Sequence, residues 1–230
     1  MRLSIVLPVL DEASSLGATL EALSPLRARG VEVIVVDGGS SDGTSACAQA
    51  GADIVLTAPR GRARQMNAGA AVARGEVLLF VHADTTLPAH ADALVLQAVE
   101  RGAQWGRFDV RIDAGPSRAS TARLILPVVA RCMNVRSRLS GIATGDQALF
   151  VQRALFQQLG GYADQPLMED IELSRRLRAV GPPACLRQSV LTSGRRWQAR
   201  GVWRTIFLMW RLRWRYWRGE SPDTLARAYR

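Results

Sequence analysis

Four apolar runs in the first 84 residues lack the alternation of a half-exposed strand: 3–8 (LSIVLP), 31–37 (VEVIVVD), 54–57 (IVLT) and 77–82 (VLLFVH). Side chains of a strand point alternately to its two faces, so a run that is apolar at every position needs cover on both. Helix-compatible segments stand between the runs. These are 14–23 with Ser14 or Ser15 as cap, 43–50, and 62–73, where alanines and Met66 keep helical spacing until Gly75. Such alternation predicts a parallel α/β sheet with helices on both faces. Pro8 is expected to stop the first strand.

The second half has a different texture. Residues 106–112 alternate, with Phe108, Val110 and Ile112 against Arg107, Asp109 and Arg111, as in a strand with one solvated face. Further strands are expected at 147–151 and 183–190, and helices at 120–133, 153–159 and 169–179. No repeat or low-complexity linker interrupts the 230 residues. One large domain over 1–200 is therefore expected, followed by a helical extension over 201–230. With 48% apolar residues the chain reads as soluble and globular. Met1-Arg2 runs straight into the first strand with no secretory h-region, and Cys47, Cys132 and Cys185 are odd in number without metal-ligand spacing. Both features fit a cytoplasmic protein with reduced thiols.

Two of the apolar runs lead into an acid, Asp37 and Asp84. In open α/β sheets ligands sit beyond the carboxyl ends of the strands. The Asp37 turn, Gly38-Gly39-Ser40-Ser41-Asp42-Gly43, serves either as a strand-to-helix connection capped by Ser41 or Asp42 or as a nucleoside contact. Gly-x-Gly-x-x-Gly is absent, which disfavours a dinucleotide site. In His82-Ala83-Asp84-Thr85, Asp84 either caps the segment after Pro88 or anchors Mg²⁺ or Mn²⁺. Such cations take one or two protein carboxylates and fill their shells with phosphate and water. Arg60, Arg62 and Arg64 around Gly61 form a solvated basic turn or a phosphate grip at a helix entry. Glu169, Asp170 and Glu172 open a helix that ends in Arg175, Arg176 and Arg178. The macrodipole alone accounts for this arrangement, but an acid just after Pro166-Leu167 could also serve as a general base.

The net charge is +10, and all 30 basic residues are arginines. Codon bias accounts for this, as does a surface that meets anions. Trp203, Phe207, Trp210, Trp214 and Trp217 advance by four, three, four and three, making one stripe of a helix flanked by Arg204, Arg211, Arg213, Arg215 and Arg218. Core packing, a dimer contact and a membrane interface over 202–218 all fit this pattern. With about 16 residues and this many charges, the helix does not span a bilayer.

Taken together, SIVLPVLDE (4–12), EVIVVDGGSSDGT (32–44), RGRARQMNAGAAVARGEVLLFVHADT (60–85) and GDQALFVQRALFQQLGGY with MEDIELSRRL (145–177) resemble the family 2 glycosyltransferases. The resemblance is nearest to a bacterial sub-branch with HAD in place of DxD and a shared SGRRWQARGVW segment (193–203). It implies a GT-A (Rossmann-like) α/β fold, a mostly parallel central sheet flanked by helices, with a C-terminal amphipathic helical extension. It implies that Pro8, Asp11, Glu12, Asp37, Gly38, Arg60, Arg64 and His82 belong to the nucleotide site. Asp84 matches the last carboxylate of the metal motif, and Asp170, beside Glu169, matches the catalytic base of inverting members. Asp146, Gln147, Arg196 and Trp197 are candidates for acceptor or phosphate contacts. Gly38 stands where relatives usually have an Asp that contacts the base, and His82 replaces the first Asp of DxD.

The expected activity is sugar transfer from a nucleoside-diphosphate sugar to an acceptor hydroxyl, inverting and assisted by Mn²⁺ or Mg²⁺. The acceptor is open, a lipid-linked one included, as are a membrane contact and a homodimer. Two other readings share some of these features: a nucleotidyltransferase, and a non-catalytic basic protein at a membrane. No nucleic-acid module is recognisable.

Overall fold

A computed structural model describes residues 1–115 and 120–229, with the backbone alone at 120, 121 and 196. In chain order the strands are β1 (Leu3–Val9), β2 (Glu32–Asp37), β3 (Ile54–Thr57), β4 (Val77–Phe80), β5 (Thr85–Thr86), β6 (Trp105–Asp113), β7 (Leu149–Gln152) and β8 (Ala184–Ser193). The helices are α1 (Ala13–Ala28), α2 (Thr44–Gly51), α3 (Arg62–Val72), α4 (Ala91–Glu100), α5 (Ser120–Ser140), α6 (Arg153–Gln158), α7 (Glu169–Val180), α8 (Arg195–Arg200), α9 (Val202–Trp217) and α10 (Pro222–Tyr229).

One sheet has the order β3-β2-β1-β4-β7-β6-β8-β5. β1 pairs in parallel with β2 and β4, and β2 with β3. β7 runs against both β4 and β6, β8 is parallel to β6, and β5 runs against β8. The apolar runs are covered on both faces, as their lack of alternation requires. Leu3, Ile5 and Leu7 pack with Leu16, Leu20 and Leu23 of α1 and Val95 of α4. Val6, Ile34 and Phe80 pack on the other face with Met66 of α3 and Leu173 and Leu177 of α7. α3 lies close on the sheet because it carries Gly69, where a Cβ would come within 2.5 Å of Val6 Cγ1.

Several expectations change. Pro8 does not stop β1, which continues to Val9 with Pro8 opposite Val36. Val6 O accepts Val81 N–H on the β4 side, and Pro8 shares that orientation, but β4 ends at Phe80. The missing amide therefore forfeits no ladder bond. α1 runs past residue 23 through Pro25 to Ala28; exposed Glu21, whose carbonyl Pro25 leaves unbonded, can turn to water. Arg107 is not on a solvated face. Arg107 is fully buried in an ion pair with Asp109, and α5 reaches the pair through the Asn134 carbonyl, which accepts from Arg107 Nη2 at 3.2 Å, and Arg138 Nη2, which donates to Asp109 at 2.8 Å.

The tryptophan stripe of α9 is not core. Trp203, Phe207, Trp210, Trp214 and Trp217 are all exposed, while Leu212 on the opposite side packs with Leu225 of α10 and Met168. Among the described residues no helix is long and apolar enough to cross a membrane. β5, α4 and α8 have no counterpart among the sequence expectations, and the helical extension expected over 201–230 is two helices, α9 and α10.

Candidate active site

A cleft of about 480 Å³ opens beyond the carboxyl ends of β1 and β4. Pro8 and Val9 at the end of β1 and Glu12 after it reach into the cleft, His82 and Asp84 follow β4, and Arg60, Gly61, Arg62 and Gln65 enter with the start of α3. Asp146, Arg195 and Trp197 close the far side. Asp84 is fixed from two directions. Its carbonyl accepts Ser193 N–H at 3.1 Å, and the neighbouring Ala83 carbonyl accepts Thr19 Oγ1–H at 2.5 Å.

The loops after β1 and β2 are bolted together below the cleft. Asp37 Oδ1 accepts from Ser40 N and Oγ at 2.9 and 2.6 Å, and Asp11 Oδ1 accepts from Ser41 N at 2.8 Å. Asp37 is buried and, like Asp11 and Gly38, stands outside the cleft lining. Gln65 covers this floor, its Nε2 donating to Val9 O at 2.7 Å and Val36 O at 2.8 Å, and its amide lies over Gly38. Arg64 is turned to Asp164, 2.7 Å away, and it is Arg62 that faces Glu169, Asp146 and Asp170.

Asp170 and Glu169 sit in the first turn of α7, immediately behind the lining. Gly145 N–H donates to Asp170 Oδ2 at 2.9 Å, and Ile171 N–H to Oδ1 at 2.7 Å. Crowding away from water raises the Asp170 pKa; these two amides oppose the rise and the Asp146 carboxylate adds to it. The Glu169 carboxyl is also pushed up, first by burial and then by Asp170. Met168, just before them, is buried with φ at 65°, a conformation that a non-glycine residue holds only under surrounding constraint. Leu212 and Leu225 supply that constraint.

Asp146 reaches the cleft from a 3-10 turn, Gly145–Gln147, where His82 Nδ1 stands 3.4 Å from its Oδ1. Gln147 is fully buried, accepting from Thr144 N–H at 3.2 Å and donating to Asn134 Oδ1 at 3.3 Å, so it supports the turn from behind. Trp197 lines the cleft, and the Arg196 side chain lies outside the described residues. Sequence reasoning missed Arg195 and Gln65. Arg195 Nη2 lies 3.3 Å from Glu12 Oε2 and 3.9 Å from Asp84 Oδ2, tying the two acids of the cleft together. The only signal for it was the SGRRW segment itself, which does not say which arginine turns inward.

Among the described residues no cluster of three or more His, Cys, Asp or Glu could enclose a metal ion. Asp84 instead offers a single carboxylate on an open wall flanked by arginines. That donor set fits a hard cation which draws its remaining ligands from phosphate and water.

Arginines and one acid beyond the ends of parallel strands do not by themselves name a chemistry. A model of glycosyl transferase family 2 matches residues 4–157. The chain belongs to that family. It is similar to the probable glycosyltransferase YdaM of Bacillus subtilis, with 28% identity over 240 aligned positions, 96% of this chain and 55% of YdaM. The chain thus spans about half the length of that relative. S. aureus TarS 1-349 in complex with UDP superposes with a TM-score of 0.65 at 16% identity, over 84% of this chain and 60% of that one. The mannosyltransferase PcManGT from Pyrobaculum calidifontis, in complex with GDP-Man and Mn²⁺, superposes with a TM-score of 0.63 at 19% identity, over 99% and 68%. The fold is therefore GT-A, a mixed sheet flanked by helices.

Proposed function

We propose that the chain transfers a sugar from a nucleoside-diphosphate sugar to an acceptor hydroxyl. The observation that carries the reading is the meeting, in one cleft, of a basic wall (Arg60, Arg62, Arg195) with Asp84 on one side and the Asp146–Asp170 turn on the other. Pro8, Glu12, Arg60 and His82 would meet the nucleotide directly, while Asp11, Asp37 and Gly38 shape the loops beneath it. A divalent cation, Mn²⁺ or Mg²⁺, would be held by Asp84 and would supply Lewis-acid neutralisation of the diphosphate, worth several kcal/mol.

In this scheme Asp170 accepts the acceptor proton as the acceptor oxygen bonds to the anomeric carbon. The bond from that carbon to the β-phosphate oxygen breaks, and nucleoside diphosphate leaves. A single displacement of this kind inverts the anomeric centre. A carboxylate with a raised pKa is a better base than an ordinary one, and such catalysis supplies roughly 10²–10⁴-fold, with positioning adding more. Burial raises both carboxyls, and Arg62, facing Glu169 and Asp170, opposes that rise by favouring their ionised forms.

The reading is tested by a thermal-shift screen of nucleoside diphosphates with and without Mn²⁺, followed by product analysis. A shift at 100 times Kd corresponds to about 2.7 kcal/mol. Release of nucleoside diphosphate supports glycosyl transfer, whereas pyrophosphate would mean nucleotidyl transfer.

The exposed stripe of α9 favours a second role as a peripheral membrane contact of a cytoplasmic enzyme. Leu124, Val128, Val135 and Leu139 of α5 are exposed too, and α9 carries arginines beside its tryptophans. Tryptophan faces flanked by arginine suit anionic headgroups. Flotation with phosphatidylglycerol vesicles should carry the chain upward, and Trp210→Ser with Trp214→Ser should leave it at the bottom. Concentration-dependent dimers without flotation would instead assign the face to self-association.

A further inference from the structure

A second cavity lies between α5 and α9, with a volume of about 520 Å³, within the range of small-molecule sites. Val129 and Met133 of α5 and Ile206 and Met209 of α9 give it apolar walls. It adjoins the cleft, since Asp146 and Trp197 line both. Two cations stand in this apolar setting, Arg136 and Arg213. Arg136 Nε and Nη2 and Arg213 Nε are buried and have no hydrogen-bond partner among the described residues. A buried guanidinium donor left unbonded is costly, and a carboxylate or phosphate oxygen is its strongest complement. Burial also works against the Arg136 charge, and Asp170 and Asp146 only partly compensate it.

We propose that this groove is the acceptor site and that the acceptor is an anionic amphiphile, its apolar chain between α5 and α9 and its headgroup on Arg136 and Arg213. Naming the occupant the acceptor rests on the glycosyltransferase reading. The binding chemistry does not. The groove meets the cleft at Asp146, next to Asp170, so the reacting hydroxyl is carried at the headgroup end. The chain length is open at the far end, where Trp203 and Trp210 border solvent.

Isothermal titration of the full chain with decyl phosphate below its micellar concentration, 1-decanol and inorganic phosphate tests this directly. Decyl phosphate should bind at least tenfold tighter than either of the other two. Arg136→Gln with Arg213→Gln should erase that preference while decanol binding persists, and Val129→Trp, which crowds the groove, should weaken both. Equal affinity for decyl phosphate and decanol in the wild type, or undiminished binding to Val129→Trp, would overturn the proposal. A thermal shift with UDP or GDP and Mn²⁺ on the same proteins reads the donor cleft separately. Its absence from the wild type would remove the donor reading and leave amphiphile binding to stand or fall on the titration.

Discussion

Gly145 N–H donates to Asp170 Oδ2 at 2.9 Å, joining the turn that carries Asp146 into the cleft to the helix that carries the acidic pair. Through this bond the start of the turn sets the orientation of a carboxylate on the helix. A Cβ at Gly145 would lie 2.5 Å from the His82 ring, so the same residue also sets how closely the turn approaches the strand-end cluster.

The acidic pair carries a stability cost. Burial raises the Glu169 pKa above its ordinary 4.5, so the folded chain holds a proton that the unfolded chain has released. Stability is therefore lost as pH rises through the folded-state value, and at neutral pH the ionised group is a net cost. Glu169→Gln should melt higher than wild type at pH 7.5, with the gain vanishing below about pH 4. In a chain of this size each kcal/mol reads as about 2–4 °C. Equal melting temperatures across this range would contradict the raised value.

The C-terminal helices hold the acidic pair in place. Leu225 and Leu212 pack on Met168, whose positive φ starts α7. Leu225→Ala should cost about 2–5 kcal/mol in chemical denaturation. Relaxation of Met168 should also lower kcat while KM for the donor stays within twofold. A fall in both stability and donor affinity with kcat intact would mean that the helices brace the nucleotide cleft instead.

How much of this was legible in the sequence depends on whether local pattern or distant packing decided each point. The runs around Ile5, Ile34 and Leu79 read as double-covered strands because they are short, apolar on both faces and bounded by turn residues. That Asp84 and Asp146 line one cleft with Asp170 behind it could be reached only through resemblance, since their approach depends on how β7 and β6 extend the sheet. Alternation placed Arg107 and Asp109 on one side of β6 correctly. It could not show that the Asn134 carbonyl and Arg138 of α5 would close on the pair. Arg195 and Gln65 were invisible for a similar reason, because each acts across residues remote in number.

The buried pair on β6 offers a test of that packing. Asp109 is the carboxylate partner of Arg107, and truncating one member strands the other. Asp109→Ala should destabilise by about 3–5 kcal/mol. Nucleotide affinity measured well below the melting point should be unchanged. A loss under 1 kcal/mol would show that Asn134 O and Phe108 O, the other acceptors of Arg107, suffice.

Arg195 bridges Glu12 and Asp84, and its guanidinium neutralises the acids that a cation would otherwise meet alone. Arg195→Gln should weaken metal-free nucleoside-diphosphate binding about tenfold, with millimolar Mn²⁺ restoring most of the loss. Calorimetry with and without EDTA reads this. An unchanged metal-free affinity would place Arg195 outside the phosphate site.

The central claim is that Asp170 moves the proton while the cleft binds the donor. Paired measurement of turnover and of nucleoside-diphosphate affinity in Asp170→Asn tests it most directly. The account predicts that turnover falls at least 10²-fold while affinity stays within about threefold. Turnover within a few-fold of wild type, or a parallel collapse of affinity, would contradict it.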